Sequence, residues 1–360
     1  MFCIAAFIVF LILAIFSATF RPLAAKAWHC VIRRVSFRPC DIDFSEEMKG
    51  KIIGKMMKHS PALAAFVSRW IDWFSFAFVA LSIWSLVYAG MAGLNLFVYD
   101  TCNPLAVESC SLGGEACGVQ QQVPGLVQSW KSGQMMEWMT GPFTRFATTV
   151  GRIPDRLRTW NAAEFVGPTA TFIGATDPTA PIALEVMDPL CQFCKKLLGN
   201  MEAAGIDREY RITYLLYPIP DGNSPTGTKF AFSRILAQYI ESAKTVRPGA
   251  DWDLIRKIFA NRDDGTDWQS FLRIGATEKE ARHTLDEFLA EIGFTGDEIG
   301  KVHSLLASDS IAQSLDAQRQ IVEKGLRTIK IPTLIIGGRR YDRVVSEGKL
   351  RKYSQDESQK

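Results

Sequence analysis

Cys191-Gln192-Phe193-Cys194 places two thiols three residues apart, where an apolar run (Ile182–Met187) closed by Asp188-Pro189 gives way to helix-forming sequence beginning Cys194-Lys195-Lys196-Leu197-Leu198. Two sulfurs at the start of a helix suit redox chemistry. The first lies near the free N–H groups and the positive dipole end, which favour its thiolate. The second lies one turn in, within reach to resolve a mixed disulfide. The same spacing can also supply half of a zinc site, so the motif alone leaves redox and metal chemistry open.

The elements around the motif set its compartment. Among 360 residues, 48% are hydrophobic and 22% charged, and the apolar residues are unevenly spread. Residues 1–20 contain no charged side chain, and neither does the run from Trp73 to Tyr99. At ~1.5 Å per helical residue, each approaches the ~30 Å hydrocarbon core of a bilayer. No basic segment precedes the first run, which exceeds a usual signal-peptide core, so it reads as an uncleaved membrane helix. Ten Lys/Arg lie between Arg21 and Arg69 against four carboxylates, whereas no Lys or Arg follows Tyr99 until Lys131. The positive-inside rule then predicts a transmembrane helix over 1–20, a basic cytoplasmic loop over 21–70 and a second transmembrane helix over 71–98. An extracytoplasmic, cysteine-containing linker follows over 99–165, and a folded domain over 166–360. The net charge of +3 mostly reflects the loop, which carries no nucleic-acid-binding motif.

Five of the eight cysteines (Cys102, Cys110, Cys117, Cys191 and Cys194) thus fall on the side where disulfides persist. Cys102, Cys110 and Cys117 lie in a Gly/Ser-rich stretch as candidates for an accessory disulfide. One internal bond with a leftover thiol, a redox relay to Cys191 and Cys194, and an intermolecular bridge all fit three cysteines. Cys30 and Cys40 have no evident role, and unpaired cytosolic thiols are the default. Residues 123–165 mix large apolar side chains with arginines, as in a helix packed on the domain or lying at the membrane surface.

From residue 166 the pattern is that of an α/β domain. Strands are predicted at 170–173, 182–187 and 210–217, with a helix over 194–204 between the second and third. Strand, helix, strand in that order forms a parallel crossover unit. Residues 228–325 read as helical, with apolar residues near helical spacing and breaks at Arg247-Pro248-Gly249, Asp263-Asp264-Gly265 and Gly293. A strand at 333–336, a Gly337-Gly338 turn, a return strand at 340–342 and a helix over 346–353 close the domain.

Three separated features resemble the thioredoxin superfamily, and its DsbA-like branch in particular. The first is Glu185 through Lys195, similar to the family's strand, acidic residue and Cys-X-X-Cys helix start. The second is Ile331-Pro332-Thr333-Leu334-Ile335-Ile336-Gly337-Gly338, similar to its cis-proline segment, strand and glycine turn. The third is the helical stretch between them, where DsbA-like proteins carry an insert. The resemblance covers residues 166–353 and implies a thioredoxin fold with a large helical insertion. It implies Cys191 as the attacking thiol, more exposed than its partner, and Cys194 as the buried resolving thiol. Glu185, six residues before Cys191, matches the buried acid that exchanges a proton with the resolving thiol. A carboxylate in water on an edge strand is the alternative. Pro332 matches the cis-proline facing the sulfurs, with the Ile331 backbone left free to pair with an extended substrate; the alternative is a trans-proline starting an edge strand. Gln192 and Phe193 are candidate substrate contacts, and this pair departs from the Pro-His and Gly-Pro pairs common in the superfamily. Ile331 before the proline is similar to reducing thioredoxins.

The leading expectation is a thiol-disulfide oxidoreductase anchored in the cytoplasmic membrane, needing neither cofactor nor metal. Its partners would be extracytoplasmic proteins bearing thiols or disulfides, a membrane redox partner and the lipid bilayer, with no nucleic acid. A non-catalytic membrane assembly factor or chaperone with a structural disulfide is the alternative from another class. A metal-binding protein is the third.

Overall fold

The computed structural model describes residues 2–16, 18–36, 50, 53–54, 57, 61–105, 115–118, 125–222, 224–263 and 265–357. It divides into two units, Met1–Met91 and Ala92–Lys360.

In the first unit, α1 (Phe2–Phe16) passes through a short 3-10 turn, Ala18–Phe20, into α2 (Arg21–Val35). The two helices pack as a hairpin, with Phe7 against Trp28 at 5.1 Å between ring centroids. At 15 residues, α1 is only about 22 Å long at ~1.5 Å per residue, short of the ~30 Å bilayer core. The long helix α3 (Pro61–Tyr99) contains the 27-residue stretch Trp73–Tyr99, the one candidate membrane span among the described residues. Leu81, Trp84, Leu86 and Tyr88 on it are exposed. Two crossings were expected, and only this one meets the length requirement. Cys30 is held in a disulfide, which corrects the expectation of an unpaired thiol; Cys40 lies outside the described residues.

The second unit, which takes in the last turns of α3 from Ala92, continues with β1 (Cys117–Gly118) and the helices α4 (Leu126–Lys131), α5 (Met135–Val150) and α6 (Ile153–Leu157). Trp130, Met136 and Phe143 on this stretch are exposed. The central sheet follows: β2 (Ile173–Gly174), β3 (Ile182–Met187), α7 (Gln192–Ala203), α8 (Ile206–Glu209) and β4 (Arg211–Leu216). Helices α9 (Ser233–Val246), α10 (Ala250–Phe259), α11 (Trp268–Ser270), α12 (Glu278–Glu291), α13 (Gly296–Leu306) and α14 (Asp309–Gln320) form the insert. The chain closes with β5 (Lys330–Ile331), β6 (Thr333–Ile336), β7 (Arg339–Tyr341) and α15 (Glu347–Glu357).

The main sheet has the order β2-β4-β3-β6-β7, with β3 parallel to β4 and the other pairs antiparallel. Because β3 lies in the middle and is covered on both faces, its sequence reads as a continuous apolar run instead of an alternating one. Glu185 is the exception inside that run. Helix α7 buries Cys194, Leu197, Leu198 and Met201, the i, i+3, i+4, i+7 stripe of a helix laid on a sheet. Cys194 is therefore buried by its place on the stripe, while Cys191 stands at the N-cap. Within the insert, Thr277 with Glu280 and Thr295 with Glu298 form capping boxes that start α12 and α13.

Gly174 adopts φ +95°, and a Cβ there would lie 2.6 Å from the Tyr210 carbonyl and 2.7 Å from that of Asp207. Gly174→Ala is expected to destabilise the unit by about 1–3 kcal/mol, read as a lowered denaturant midpoint with unchanged slope.

Candidate active site

The turn that presents Cys191 is built by Asp188. Its backbone carbonyl accepts from Cys191 N at 3.0 Å. Its carboxylate accepts from Leu190 N at 2.8 Å, the Ser233 hydroxyl at 2.7 Å and Ile219 N at 2.9 Å. Burial pushes this carboxyl up to about 7, against those three hydrogen bonds, which favour its ionised form. Gln269, from α11 in the insert, donates to Pro189 O at 2.7 Å and Cys191 O at 3.3 Å. Lys195 Nζ reaches Asn261 Oδ1 at 3.0 Å. The insert therefore holds the cysteine turn from above while the sheet holds it from below.

Asp188 and Gln269 were missing from the site as read from the sequence. An Asp-Pro dipeptide ending a strand is a turn signal whose carboxylate commonly accepts from the backbone two residues on. Gln269 carries no local signal, because the contact is made across the fold.

Cys191, Cys194 and Cys117 are free thiols. Cys191 and Cys194 are both 0% exposed, which corrects the expectation of an exposed attacking sulfur. The reason is Cys117, whose sulfur lies 2.7 Å from that of Cys191. Burial opposes ionisation of Cys191. Hydrogen bonds from the Cys117 and Cys194 thiols, and from the N–H groups of Cys194 and Phe193, outweigh it and hold Cys191 well below the ordinary thiol range. Cys194 is pushed well above its ordinary value, by burial first and then by its hydrogen bond to Cys191 and the nearby charges of Cys191 and Glu185. Cys117 is raised chiefly by its hydrogen bond to Cys191 and then by burial. One low and two high sulfurs in contact leave the negative charge on Cys191.

Glu185 stands in the central strand and is 0% exposed, so the water-exposed edge position does not apply. Neither carboxylate oxygen has a hydrogen-bond partner. Burial, and then the charge of Cys191, raises its pKa well above the ordinary carboxyl value. The Ile331-Pro332 peptide is cis, and Pro332 joins β5 to β6. The Ile331 backbone is not free: Cys117 pairs with Ile331 and Gly118 with Lys330, antiparallel. Gln192 is exposed and Phe193 half-buried against the core. Cys102 is held in a disulfide, and its partner is none of the three free thiols at the site; Cys110 lies outside the described residues. Among the described residues, no group of three or more His, Cys, Asp or Glu is placed to hold a metal ion.

The sheet order, the parallel crossover through α7 and the helical insert between β4 and β5 together match the expected architecture. The fold is thioredoxin-like. Neither a protein-family model nor a curated relative matches the chain. Solved structures similar to it include the thiol-disulfide exchange protein alpha-DsbA2 from Wolbachia pipientis, at 18% identity over 52% of this chain and 87% of that one, with a TM-score of 0.38. BdbD from Bacillus subtilis in its oxidised form is 13% identical over 56% of this chain and 98% of that one, with a TM-score of 0.40. Proteus mirabilis ScsC is 12% identical over 65% of this chain and 98% of that one, with a TM-score of 0.39.

Asp188 makes the site sensitive to pH. Its folded value of about 7 exceeds the ordinary 3.8. Its contribution to stability is therefore fully present below about pH 4 and lost as pH rises through about 7. Asp188→Asn is expected to flatten that dependence. At neutral pH it should cost about 1–3 kcal/mol, because an amide cannot accept from all three donors. Denaturant titrations of both proteins between pH 4 and pH 8 read both effects.

Proposed function

We propose that this protein is a membrane-anchored thiol-disulfide oxidoreductase acting on extracytoplasmic protein thiols and disulfides. The observation that carries the reading is the charge arrangement at one helix start: Cys191 is the low sulfur, Cys194 the high one, and both lie above a buried, unpartnered Glu185. The Cys191 thiolate attacks a substrate disulfide, forming a mixed disulfide and releasing one substrate thiolate. Cys194 then gives up its proton, with Glu185 as the acceptor, and attacks the Cys191 sulfur. The second substrate thiol leaves, and the enzyme is left with a bond between Cys191 and Cys194. Two electrons have moved to the substrate; the same steps in reverse oxidise a substrate dithiol. Ile331 and Pro332 form the edge on which an extended substrate lies once the Cys117–Gly118 strand paired there is displaced, with Gln192 and Phe193 beside it. A membrane redox partner restores the pair.

The Trp73–Tyr99 stretch supports an anchor, with residues 1–20 as a second membrane-embedded segment and the chain after Tyr99 on the outer side. The exposed Trp130, Met136 and Phe143 fit a surface resting on lipid.

The direct test is the full chain in detergent, equilibrated in glutathione buffers and quenched with acid before alkylation. A bond between Cys191 and Cys194 that forms and breaks with buffer poise is the expected result. A pair that stays reduced or oxidised across the whole range rules the reading out. Protease applied to sealed right-side-out vesicles is expected to remove the part of the chain that follows Tyr99, and full protection would overturn the topology.

A further inference from the structure

The sulfur that should meet substrate is covered by the chain's own strand. Residues 115–118 run along the edge just before Pro332, with Cys117 opposite Ile331 and Gly118 opposite Lys330. Two further contacts hold the segment. Val344 N donates to Glu115 O at 3.0 Å, and Lys196 Nζ forms an ion pair with the Glu115 carboxylate at 2.6 Å. The register delivers the Cys117 sulfur to 2.7 Å from that of Cys191, a thiol that is 0% exposed. An extended segment, antiparallel to that edge and ending in a sulfur on the attacking cysteine, has the geometry that a cysteine-containing substrate strand requires.

We propose that residues 115–118 are a built-in substrate strand and that Cys117 is the third redox thiol of the site, exchanging directly with the disulfide between Cys191 and Cys194. The proposal rests on the oxidoreductase reading of Cys191 and Cys194. In the step, the Cys117 thiolate attacks the Cys191 sulfur. The bond between Cys117 and Cys191 forms, and the one between Cys191 and Cys194 breaks. Cys194 leaves as a thiolate and takes up the proton that Cys117 released. One disulfide is lost and one gained, so no external oxidant or reductant is consumed. Three thiols thus share one disulfide, and Cys194 is free whenever Cys117 is bound.

The tether makes Cys117 a strong competitor. A thiol held on the same chain acts at an effective concentration in the millimolar range or above. An external protein must displace the strand, so its apparent affinity falls by the fraction of molecules in which the edge is open. The external substrate class follows from the same register: an extended peptide whose cysteine takes the place of Cys117 opposite Ile331.

The experiment uses the full chain in detergent. Cys194→Ala removes the resolving thiol, and the protein is oxidised mildly, quenched, alkylated, digested and mapped by mass spectrometry. A peptide linking Cys117 to Cys191 within one chain is the expected product. A Cys191 that is alkylated or bridged to glutathione, with Cys117 free, overturns the proposal. Two further variants measure the competition. Cys117→Ser keeps a hydroxyl donor beside Cys191 but removes the sulfur. Glu115→Lys keeps every thiol and replaces the ion pair with Lys196 by a repulsion. Each is expected to speed exchange with a disulfide-bonded model peptide about tenfold, and unchanged rates in both overturn the proposal. If Cys191 and Cys194 fail to form a bond in Cys117→Ser, the oxidoreductase reading itself has failed. If they do form it while no link to Cys117 appears, only the strand proposal falls.

Discussion

Cys191→Ser is expected to lower thiol-disulfide exchange by at least about a thousandfold, because a hydroxyl is not ionised at neutral pH and the site's hydrogen bonds act on a thiolate. The Cys117 and Cys194 thiols and the nearby N–H groups of Cys194 and Phe193 favour a thiolate at Cys191. They have little effect on a neutral hydroxyl. Cys194→Ala should behave differently, carrying out the first attack and stopping at the mixed disulfide. Because Cys117 is also in reach, the double variant with Cys117→Ser is the cleaner trap, and it should accumulate the covalent adduct with a disulfide-bonded peptide. Intact-mass spectrometry reads the adduct, and quenched-flow alkylation reads the rate. Normal exchange in Cys191→Ser would remove Cys191 from the reaction altogether.

Glu185→Leu is expected to make the protein more stable and the enzyme slower. Both carboxylate oxygens are buried without a hydrogen-bond partner in the central strand. Leaving such a group unsatisfied costs about 1–3 kcal/mol, which an apolar side chain of similar size recovers. The gain should grow with pH. A carboxyl raised above its ordinary value stabilises the fold below that value, and this contribution is lost as pH rises through the folded one. Leucine has no such loss. Exchange should fall about 10²- to 10⁴-fold through loss of proton transfer to and from Cys194. The first attack by Cys191, measured separately as alkylation, should change much less. A variant that gains stability and keeps its full rate would assign Glu185 no part in the proton balance. Glu185→Gln helps to separate the two effects, since it is polar but cannot take the proton.

Much of the fold was legible along the chain because the decisive signals are local. The Ile182–Met187 strand has the predicted bounds, and the parallel crossover lies where strand, helix and strand were read in order. Gly249 and Gly293 break the insert at the expected places, both at positive φ. The first strand was placed at 170–173 but is the pair Ile173–Gly174, since pairing to β4 begins only at Ile173. The apolar residues 1–20 were read as one crossing. The structure ends α1 at Phe16 and folds α2 back on it, and such a turn leaves no mark in a count of charges.

The sequence by itself determined the two thiols, their place at a helix start and the proline before the last strand pair. Each is set by spacing within one element or by a residue whose chemistry permits few environments. The burial of Glu185 follows instead from the central place of its strand in the sheet. Only the tertiary structure decided how the site is closed. Gln269 reaches the cysteine turn from an insert helix, and Cys117 reaches Cys191 from a strand 74 positions away. Three cysteines after Tyr99 could be counted, but not assigned. Which of them faces Cys191 depends on the pairing of Cys117–Gly118 with Lys330–Ile331, a contact between distant segments that no local preference encodes.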